Sequence, residues 1–172
     1  MKLFNIKLII AFFLASSIRD FAVVDVIHLG LVGKSGAWQA KEFKDGNSKI
    51  CYIVSSPIAT KPDGLNRGEH ALMLTNFQED GTRHEASIDT GFTFKDKSMV
   101  EVTIGSNQYK FFTLETRAWL ADGENAKQMV KDMKNGARVK VKSTSSRGTK
   151  VTDTYSLIGF TKALAAIDKA CS

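Results

Sequence analysis

Several short segments of this chain alternate apolar and polar residues, and this pattern limits the folds that the chain can adopt. Val100, Val102 and Ile104 alternate with polar residues, and Val139 and Val141 alternate with basic ones. An alternation with period two places one face of a strand in a core and the other face in water. The sequence therefore predicts antiparallel strands that each have one buried face.

Nine segments from residue 37 onwards have strand character, and turn residues separate them. The predicted strands are Trp38–Phe43, Lys49–Ser55, Ala71–Phe77, Glu85–Phe94, Met99–Gly105, Gln108–Leu114, Thr116–Leu120, Ala137–Thr144 and Lys150–Leu157. The residues at 105–107 and 145–148 are glycine and small polar or basic residues between adjacent strands, which predicts two β-hairpins.

Two segments change to the period of a helix. In the first, apolar residues recur at i, i+3, i+4 and i+7, namely Ala126, Met129, Val130 and Met133, with Asp122 as the expected N-cap and Gly136 just past the end. In the second, the apolar residues are Phe160, Leu164, Ile167 and Cys171. These elements together predict a mainly β, two-layer antiparallel β-sandwich with one or two short helices.

The N-terminal residues 1–17 have the form of a secretory signal peptide. Lys2 and Lys7 precede an apolar run, and Ala15 and Ser17 are small residues at the positions that a signal peptidase reads, so we expect cleavage after Ser17. The uncharged run is 11 residues long, from residue 8 to residue 18, whereas a membrane-spanning helix needs about 20. We therefore expect export and no transmembrane span. An internal apolar strand and an uncleaved interfacial helix are the alternatives.

The following segment, residues 18–36, has no clear pattern. It is apolar enough to pack, yet it carries Arg19, Asp20 and Asp25. It is either a loosely docked N-terminal strand or a poorly ordered leader.

The chain has two cysteines, Cys51 and Cys171. In an exported protein the surroundings are oxidising, so a disulfide between them is the natural expectation. Two unpaired buried thiols are the alternative. A catalytic redox pair would be spaced C-x-x-C, and that motif is absent.

The sequence predicts no catalytic, cofactor-binding or metal-ligating residues. His28, His70 and His84 do not stand at a known metal spacing from one another or from a cysteine or acid. No G-x-S-x-G motif is present to mark a hydrolase nucleophile. We therefore expect a protein that is not an enzyme and needs no cofactor, with an uncharacterised hydrolase as the least favoured alternative.

Three single residues have a structural and a functional interpretation. Asp153 is in phase with the apolar residues of its strand, so we expect it to be buried. It is either a functional acid with a perturbed pKa or a structural acid that pairs with backbone amides or with an arginine such as Arg117 or Arg147. Trp38 and Trp119 have small apolar neighbours and are predicted to be core residues rather than ligand-stacking platforms.

Most of the net charge of +6 comes from one segment. Between residues 131 and 150 there are seven basic residues and a single acid. Arg138, Lys140 and Lys142 share one strand face, and a turn brings Lys150 onto the neighbouring strand, so these four residues are the candidate contact for an anionic lipid, glycan or host polyanion. The alternative is a solvated face whose lysines discourage sheet-edge pairing. Nucleic acid is disfavoured as a partner, because no aromatic residues are interleaved with these basic residues.

Several segments in order and at compatible spacing carry a resemblance to a known family. They are GAWQAKEF, ICYIVSSP, NRGEHALMLTNF, VTIGSNQYKFFTLETRAWLAD, MVKDMKNG and SSRGTKVTDTYSLIGFTKALAAIDKAC. Residues 37–172 resemble the invasion-associated locus B family of alphaproteobacterial exported proteins. The resemblance implies an immunoglobulin-like β-sandwich, a location in the periplasm, the outer envelope or the medium, and no established enzymatic activity. It also places Cys51 and Cys171 where the family's cysteines pair.

We therefore expect a signal peptide at 1–17, a leader at 18–36 and one domain at 37–172. The expected function is that of an exported, non-enzymatic envelope or secreted interaction protein with a role in host-cell contact or invasion. Its partner would be an envelope or host-surface protein. The alternative is a periplasmic or outer-envelope binding module for an anionic lipid or glycan.

Overall fold

The computed structural model of the chain describes residues 28–46, 48–120 and 123–172. These ranges contain eleven strands and two helices. In chain order they are β1 (His28–Ser35), β2 (Trp38–Asp45), β3 (Ser48–Ser55), β4 (Ala59–Lys61), β5 (Ala71–Phe77), β6 (Glu85–Asp89), β7 (Met99–Ile104), β8 (Asn107–Leu114), β9 (Arg117–Leu120), α1 (Gly123–Asn135), β10 (Arg138–Thr144), β11 (Lys150–Ser156) and α2 (Phe160–Ala170).

The strands form one open antiparallel sheet in the order β1-β2-β3-β5-β6-β9-β8-β7-β10-β11-β4. We call β1-β2-β3-β5-β6 the N-terminal layer and β9-β8-β7-β10-β11-β4 the C-terminal layer. A three-residue ladder between β6 and β9 joins the layers, and Ser87 pairs with Trp119 in it. Buried apolar residues of both layers belong to one core. The fold is therefore mainly β, as predicted, and the open sheet is consistent with a sandwich made by one continuous sheet.

Strand alternation decides which side chains enter the core. In β5, Leu72 and Leu74 are fully buried, and in β10 Val139 and Val141 are fully buried. Lys140, which lies between the two valines on β10, is exposed. Each layer thus has an inner face toward the core and an outer face, and the predicted hairpins β7–β8 and β10–β11 are confirmed.

Helix α2 packs on the N-terminal layer, where it contacts β1, β2, β3 and β5. Its apolar face buries Phe160, Leu164 and Ile167, as the helical period predicts. Trp38 of β2 lies edge-on to Phe160, with ring centroids 5.1 Å apart. Gly159 precedes the helix with a φ of 90°, and a Cβ there would lie 2.0 Å from the Ser35 carbonyl oxygen. Only glycine allows this close approach of α2 to the end of β1.

Helix α1 packs against the C-terminal layer, where it contacts β7, β8 and β9, and it also contacts α2. Met129 and Met133 are buried, which confirms the predicted amphipathic helix. Gly136 follows the last turn, and its amide donates to the Asp132 carbonyl oxygen at 2.8 Å. The predicted N-cap, Asp122, lies outside the described residues.

The predicted strand Glu85–Phe94 is too long, because β6 ends at Asp89. The carboxylate of Asp89 accepts a hydrogen bond from the Gly91 amide at 3.0 Å, which turns the chain. Gly91 has a φ of 69°, and a Cβ on it would lie 2.4 Å from the Gly68 carbonyl oxygen. The turn therefore needs glycine.

β1 lies within the segment 18–36 and pairs along β2, so this part of the segment is the N-terminal strand that was one of its two predicted alternatives. β4 was not predicted; it has only three residues and pairs with β11. The predicted signal peptide at 1–17 and the rest of the leader up to residue 27 lie outside the described residues. Within the described ranges, the structure has no helix that is long and apolar enough to cross a membrane.

Candidate interaction surface and buried polar sites

The structure contains the predicted disulfide between Cys51 of β3 and Cys171 at the end of α2. Both cysteines are fully buried, and their Cα atoms are 5.9 Å apart. The bridge closes a loop of 120 residues, so it ties the last helix to an early strand. Its role is structural, because a buried disulfide offers no exposed sulfur to a partner.

Polar contacts surround this bridge. The ammonium of Lys49 donates to the Ala170 carbonyl oxygen at 2.6 Å and pairs with Glu42 at 3.1 Å. The Asp168 carboxylate on α2 accepts from Asn76 at 2.9 Å and lies 2.7 Å from Nε2 of His84. The contacts of Ala170 and Asp168 hold α2 on the N-terminal layer, and the Lys49–Glu42 pair joins β3 to β2 beneath it.

Asp153 is buried, as the strand pattern predicts, and its partner is Arg67. The guanidinium of Arg67 reaches both carboxylate oxygens, at 2.6 and 2.9 Å. The side chains are 4% and 1% exposed for Arg67 and Asp153, respectively. Thr60 of β4 also donates to Asp153, at 2.6 Å, and Arg67 donates to the Thr90 carbonyl oxygen at 3.1 Å. A bidentate, fully bonded pair of this kind is a structural anchor for the segment from β4 to β5.

The arginine partners that we expected for Asp153 are therefore wrong. Arg117 lies at the edge of β9 and approaches Asp89 at 3.5 Å, and Arg147 is exposed in the β10–β11 turn. Arg67 occupies the site because the loop before β5 passes beside the middle of β11, which brings residues 86 positions apart into contact.

Tyr155 lies beside this pair on the inner face of β11. Burial, reinforced by the negative charge of Asp153, raises the pKa of its phenol well above the usual value. Among the described residues its hydroxyl has no hydrogen-bond partner.

The described histidines do not form a metal site. His84 contacts Asp168, and Nδ1 of His70 lies 2.9 Å from the Gly68 carbonyl oxygen. Over the described ranges, no group of three or more histidine, cysteine or acidic residues is placed to hold a metal ion. The side chain of His28 lies outside the described residues.

Two shallow depressions lie on the surface of the described chain. One, of about 180 Å³, lies between the β7–β8 turn and the end of α1 and is lined by Asn107 and Asp132. The other, of about 30 Å³, lies over Arg67 and Phe92. Both are smaller than the roughly 300 Å³ at which small-molecule sites begin.

Asp132 is held by neighbours in the larger depression. Its carboxylate accepts hydrogen bonds from Tyr109, from Asn107 at 2.7 Å and from Gln128 at 2.9 Å. The hydrogen bond from Tyr109, more than any other contact, lowers the pKa of Asp132. The bonds from Asn107 and Tyr109 fix α1 against the β7–β8 hairpin, and the bond from Gln128 lies within α1.

The predicted basic residues lie together on the outer face of the C-terminal layer. We call Arg138, Lys140, Lys142 and Lys150 the basic strip. The three β10 residues are all exposed, and Lys142 stands opposite Thr152, which is two residues from Lys150 on β11. No ion pair found in the described part of the chain involves a residue of the strip.

One acid interrupts this face. Glu101 of β7 stands between Lys142 of β10 and Lys110 of β8 in the same row. Lys110 is exposed and adds a cation that was not among the predicted contacts. The sheet register thus balances Glu101 with two lysines and leaves the rest of the strip cationic.

The prediction that both tryptophans are core residues is confirmed for Trp38 and wrong for Trp119. Trp38 is fully buried and donates from its indole nitrogen to the Ser156 carbonyl oxygen at 2.9 Å. Trp119 is only partly buried, and its ring stacks on Phe112 with centroids 5.7 Å apart. The pairing with Phe112 across β8 and β9 places Trp119 on the outer face.

A family model described as invasion associated locus B (IalB) protein matches residues 38–168 of the chain. The match contains strands β2–β11, α1 and most of α2. It includes Arg67, Asp153 and the basic strip, and it stops short of Cys171. No curated protein and no solved structure was found to match the chain.

Proposed function

The chain belongs to the invasion associated locus B family, and from this premise we propose that it is an exported, non-enzymatic interaction protein that binds an anionic partner through its basic strip. The family name supports a role in contact with host cells. The partner belongs to the cell envelope or to the host surface.

The observation that carries this proposal is the geometry of the basic strip. Alternate residues of a strand stand about 7 Å apart, so Arg138, Lys140 and Lys142 spread three charges over about 13 Å. Their neighbours on β11 are Thr152, Thr154 and Ser156, which are polar and uncharged. A linear row of cations on a rigid strand fits a repeating anionic surface better than a single small acid.

The buried polar sites support a role without catalysis. Asp153, the acid that sequence pattern singles out, is held by Arg67 and Thr60 and is 1% exposed. His84 contacts Asp168 on α2 and thereby links α2 to the loop before β6. Each of these groups has a structural partner that accounts for its position.

The sequence before the described residues supports export. Lys2 and Lys7, the apolar run and the small residues Ala15 and Ser17 stand in the order of a cleavable signal. We expect the mature protein to lack residues 1–17 and to be recovered from the periplasm, the outer envelope or the medium. Intact-mass analysis of the native protein checks this, and a cytosolic chain that starts at Met1 would contradict it.

Retention on immobilised heparin, a soluble polyanion, tests the role of the strip. The test protein carries Arg138→Gln, Lys140→Gln and Lys142→Gln. The matched control carries Lys44→Gln, Lys127→Gln and Lys162→Gln, three exposed lysines on β2, α1 and α2. Both variants lose three positive charges, so net charge alone affects them equally.

We expect the native protein and the control to be retained at low salt and the strip variant to flow through. Salt screens exposed charges over about 8 Å at physiological ionic strength, so retention should fall as salt is added. Equal loss of retention in both variants would show that only the net charge acts. Unchanged retention of the strip variant would contradict the proposal that the strip binds the anionic partner.

A further inference from the structure

We propose that the outer face of the C-terminal layer docks on an anionic lipid bilayer, with the basic strip over the headgroups and an adjacent group of apolar side chains in the interfacial region. This inference rests on the proposed function and narrows its anionic partner to a membrane surface. It depends on four residues that the function has not used: Met99, Phe112, Leu114 and Trp119, which we call the apolar patch.

The sheet register assembles the apolar patch. Trp119 stands opposite Phe112, and Phe112 stands opposite Met99, so the three side chains form one row across β9, β8 and β7. Leu114 lies two residues along β8 on the same face. Met99 and Phe112 are each 44% exposed, and Leu114 is 50% exposed. These large apolar side chains therefore face water on the outer side of the layer.

The patch and the cations share a single face. The next row along the strands contains Lys110, Glu101 and Lys142, and the row after it contains Lys140. Successive rows are about 7 Å apart, because residues two apart on a strand point the same way. The outer face is thus apolar at the β9–β8 side and cationic along β10 and β11.

An anionic bilayer is the partner that matches both halves of this face. Headgroups present a plane of negative charge to which exposed lysine and arginine are drawn. Tryptophan and other amphipathic or apolar side chains are favoured at the boundary between headgroups and acyl chains. A sulfated glycan or a nucleic acid backbone would use the cations and leave Met99 and Leu114 without a role.

The acid on this face does not oppose such docking. Glu101 lies directly between Lys110 and Lys142, so its charge is compensated within its own row. Arg138, Lys140 and Lys150 remain to meet the headgroups. The outward residues of β11 beside them are threonine and serine, which can face headgroups without a charge penalty.

Trp119 gives the docking a direct optical signal. The chain has two tryptophans, and Trp38 is fully buried in the core, whereas Trp119 is partly exposed on the docking face. Vesicles of phosphatidylglycerol mixed with phosphatidylcholine, at low ionic strength, should shift the emission of Trp119 to the blue and reduce its quenching by iodide. Pure phosphatidylcholine vesicles should do neither, and Trp119→Phe should remove the signal.

Two pairs of substitutions separate insertion from charge attraction. Met99→Ser with Phe112→Ser removes apolar contacts from the patch and should weaken partitioning into the mixed vesicles about tenfold, while retention on heparin stays as in the native protein. The matched control, Leu31→Ser with Ile158→Ser, changes two side chains that are 67% and 73% exposed elsewhere. It should leave partitioning unchanged. Circular dichroism confirms that each variant is folded.

The outcomes distinguish this inference from the proposed function. Retention on heparin without binding to anionic vesicles would overturn the bilayer inference and leave the proposed function in place. Vesicle binding with no change in Trp119 emission, or with equal loss in the Met99/Phe112 variant and its control, would also overturn the inference. If the basic-strip variant keeps its binding to both heparin and anionic vesicles, the proposed function and the bilayer inference are both overturned.

Discussion

The N-terminal layer and the outer face of the C-terminal layer differ in the contacts that their side chains make. Helix α2 covers the N-terminal layer and is tied to it by the Cys51–Cys171 disulfide and by Lys49, Asn76 and His84. The outer face of the C-terminal layer carries the basic strip and the apolar patch, where the four cations, Met99, Phe112 and Leu114 are exposed. One region consists of satisfied internal contacts, and the other presents exposed cations and apolar groups.

Substitutions in these two regions should therefore affect different properties of the protein. Changes under α2 or on the inner faces remove contacts that folding uses, so they should lower the free energy of unfolding. Changes on the outer face remove exposed side chains that contribute little to folding stability, so they should lower binding and leave the free energy of unfolding nearly unchanged.

Loss of the disulfide should have the largest effect. Replacing Cys51 and Cys171 with serine opens a loop of 120 residues, for which the chain-entropy relation gives about 4 to 5 kcal/mol. Chemical denaturation measures this value, and peptide mapping without reductant should find the two cysteine peptides joined. Free alkylation of both thiols in the native exported protein would show that the bridge does not form.

Breaking the buried ion pair should come next. Arg67→Met leaves the Asp153 carboxylate buried without its guanidinium, and removal of one partner from such a pair costs about 3 to 5 kcal/mol. Arg147→Met is the matched control, because Arg147 is exposed and lines the same small depression. Equal denaturation midpoints for the two variants would contradict the anchoring role of Arg67.

A smaller effect is expected at Tyr155, and it depends on pH. The folded-state pKa of Tyr155 is raised above the unfolded value of about 10, so its contribution to stability is intact below pH 10 and is lost as the pH rises further. Tyr155→Phe should change stability at pH 7 by no more than about 1 kcal/mol, because the hydroxyl is unpaired. Thermal melts from pH 8 to 11 should show a smaller alkaline loss in the variant. An identical alkaline loss would exclude Tyr155 as its source.

The smallest effect on stability is expected on the outer face. The triple substitution of Arg138, Lys140 and Lys142 with glutamine should move the free energy of unfolding by no more than about 0.5 kcal/mol, because these side chains are exposed and make no ion pairs with the described acids. Urea unfolding measures it. A loss above 2 kcal/mol, a threshold about four times that typical surface range, would place the strip among the structural contacts.

Local patterns explain what could be predicted from the sequence. The period-two alternation around Val102 and Val141 identified strands and their buried faces, and helical spacing identified α1 and α2. These patterns operate within a few residues, so a single sequence contains them. The buried state of Asp153 followed from the same alternation.

Contacts between distant segments could not be predicted in this way. Arg67 stands in a loop without periodicity, and only the fold brings it to Asp153. β4 forms because β11 offers it a ladder, and its three residues have no strand pattern of their own. Phe111 and Phe112 are consecutive, so one must face outward, but the sequence did not show that Phe112 would meet Trp119 there.

The most direct test of the separation is to measure unfolding and binding to anionic vesicles side by side in two variants, at a temperature where circular dichroism shows both to be folded. We expect the Cys51/Cys171 serine variant to lose thermal stability and to keep the bound fraction of the native protein. We expect the Arg138/Lys140/Lys142 glutamine variant to keep its thermal stability and to lose vesicle binding. Loss of binding in proportion to loss of stability in both variants would show that the outer face has no binding role of its own.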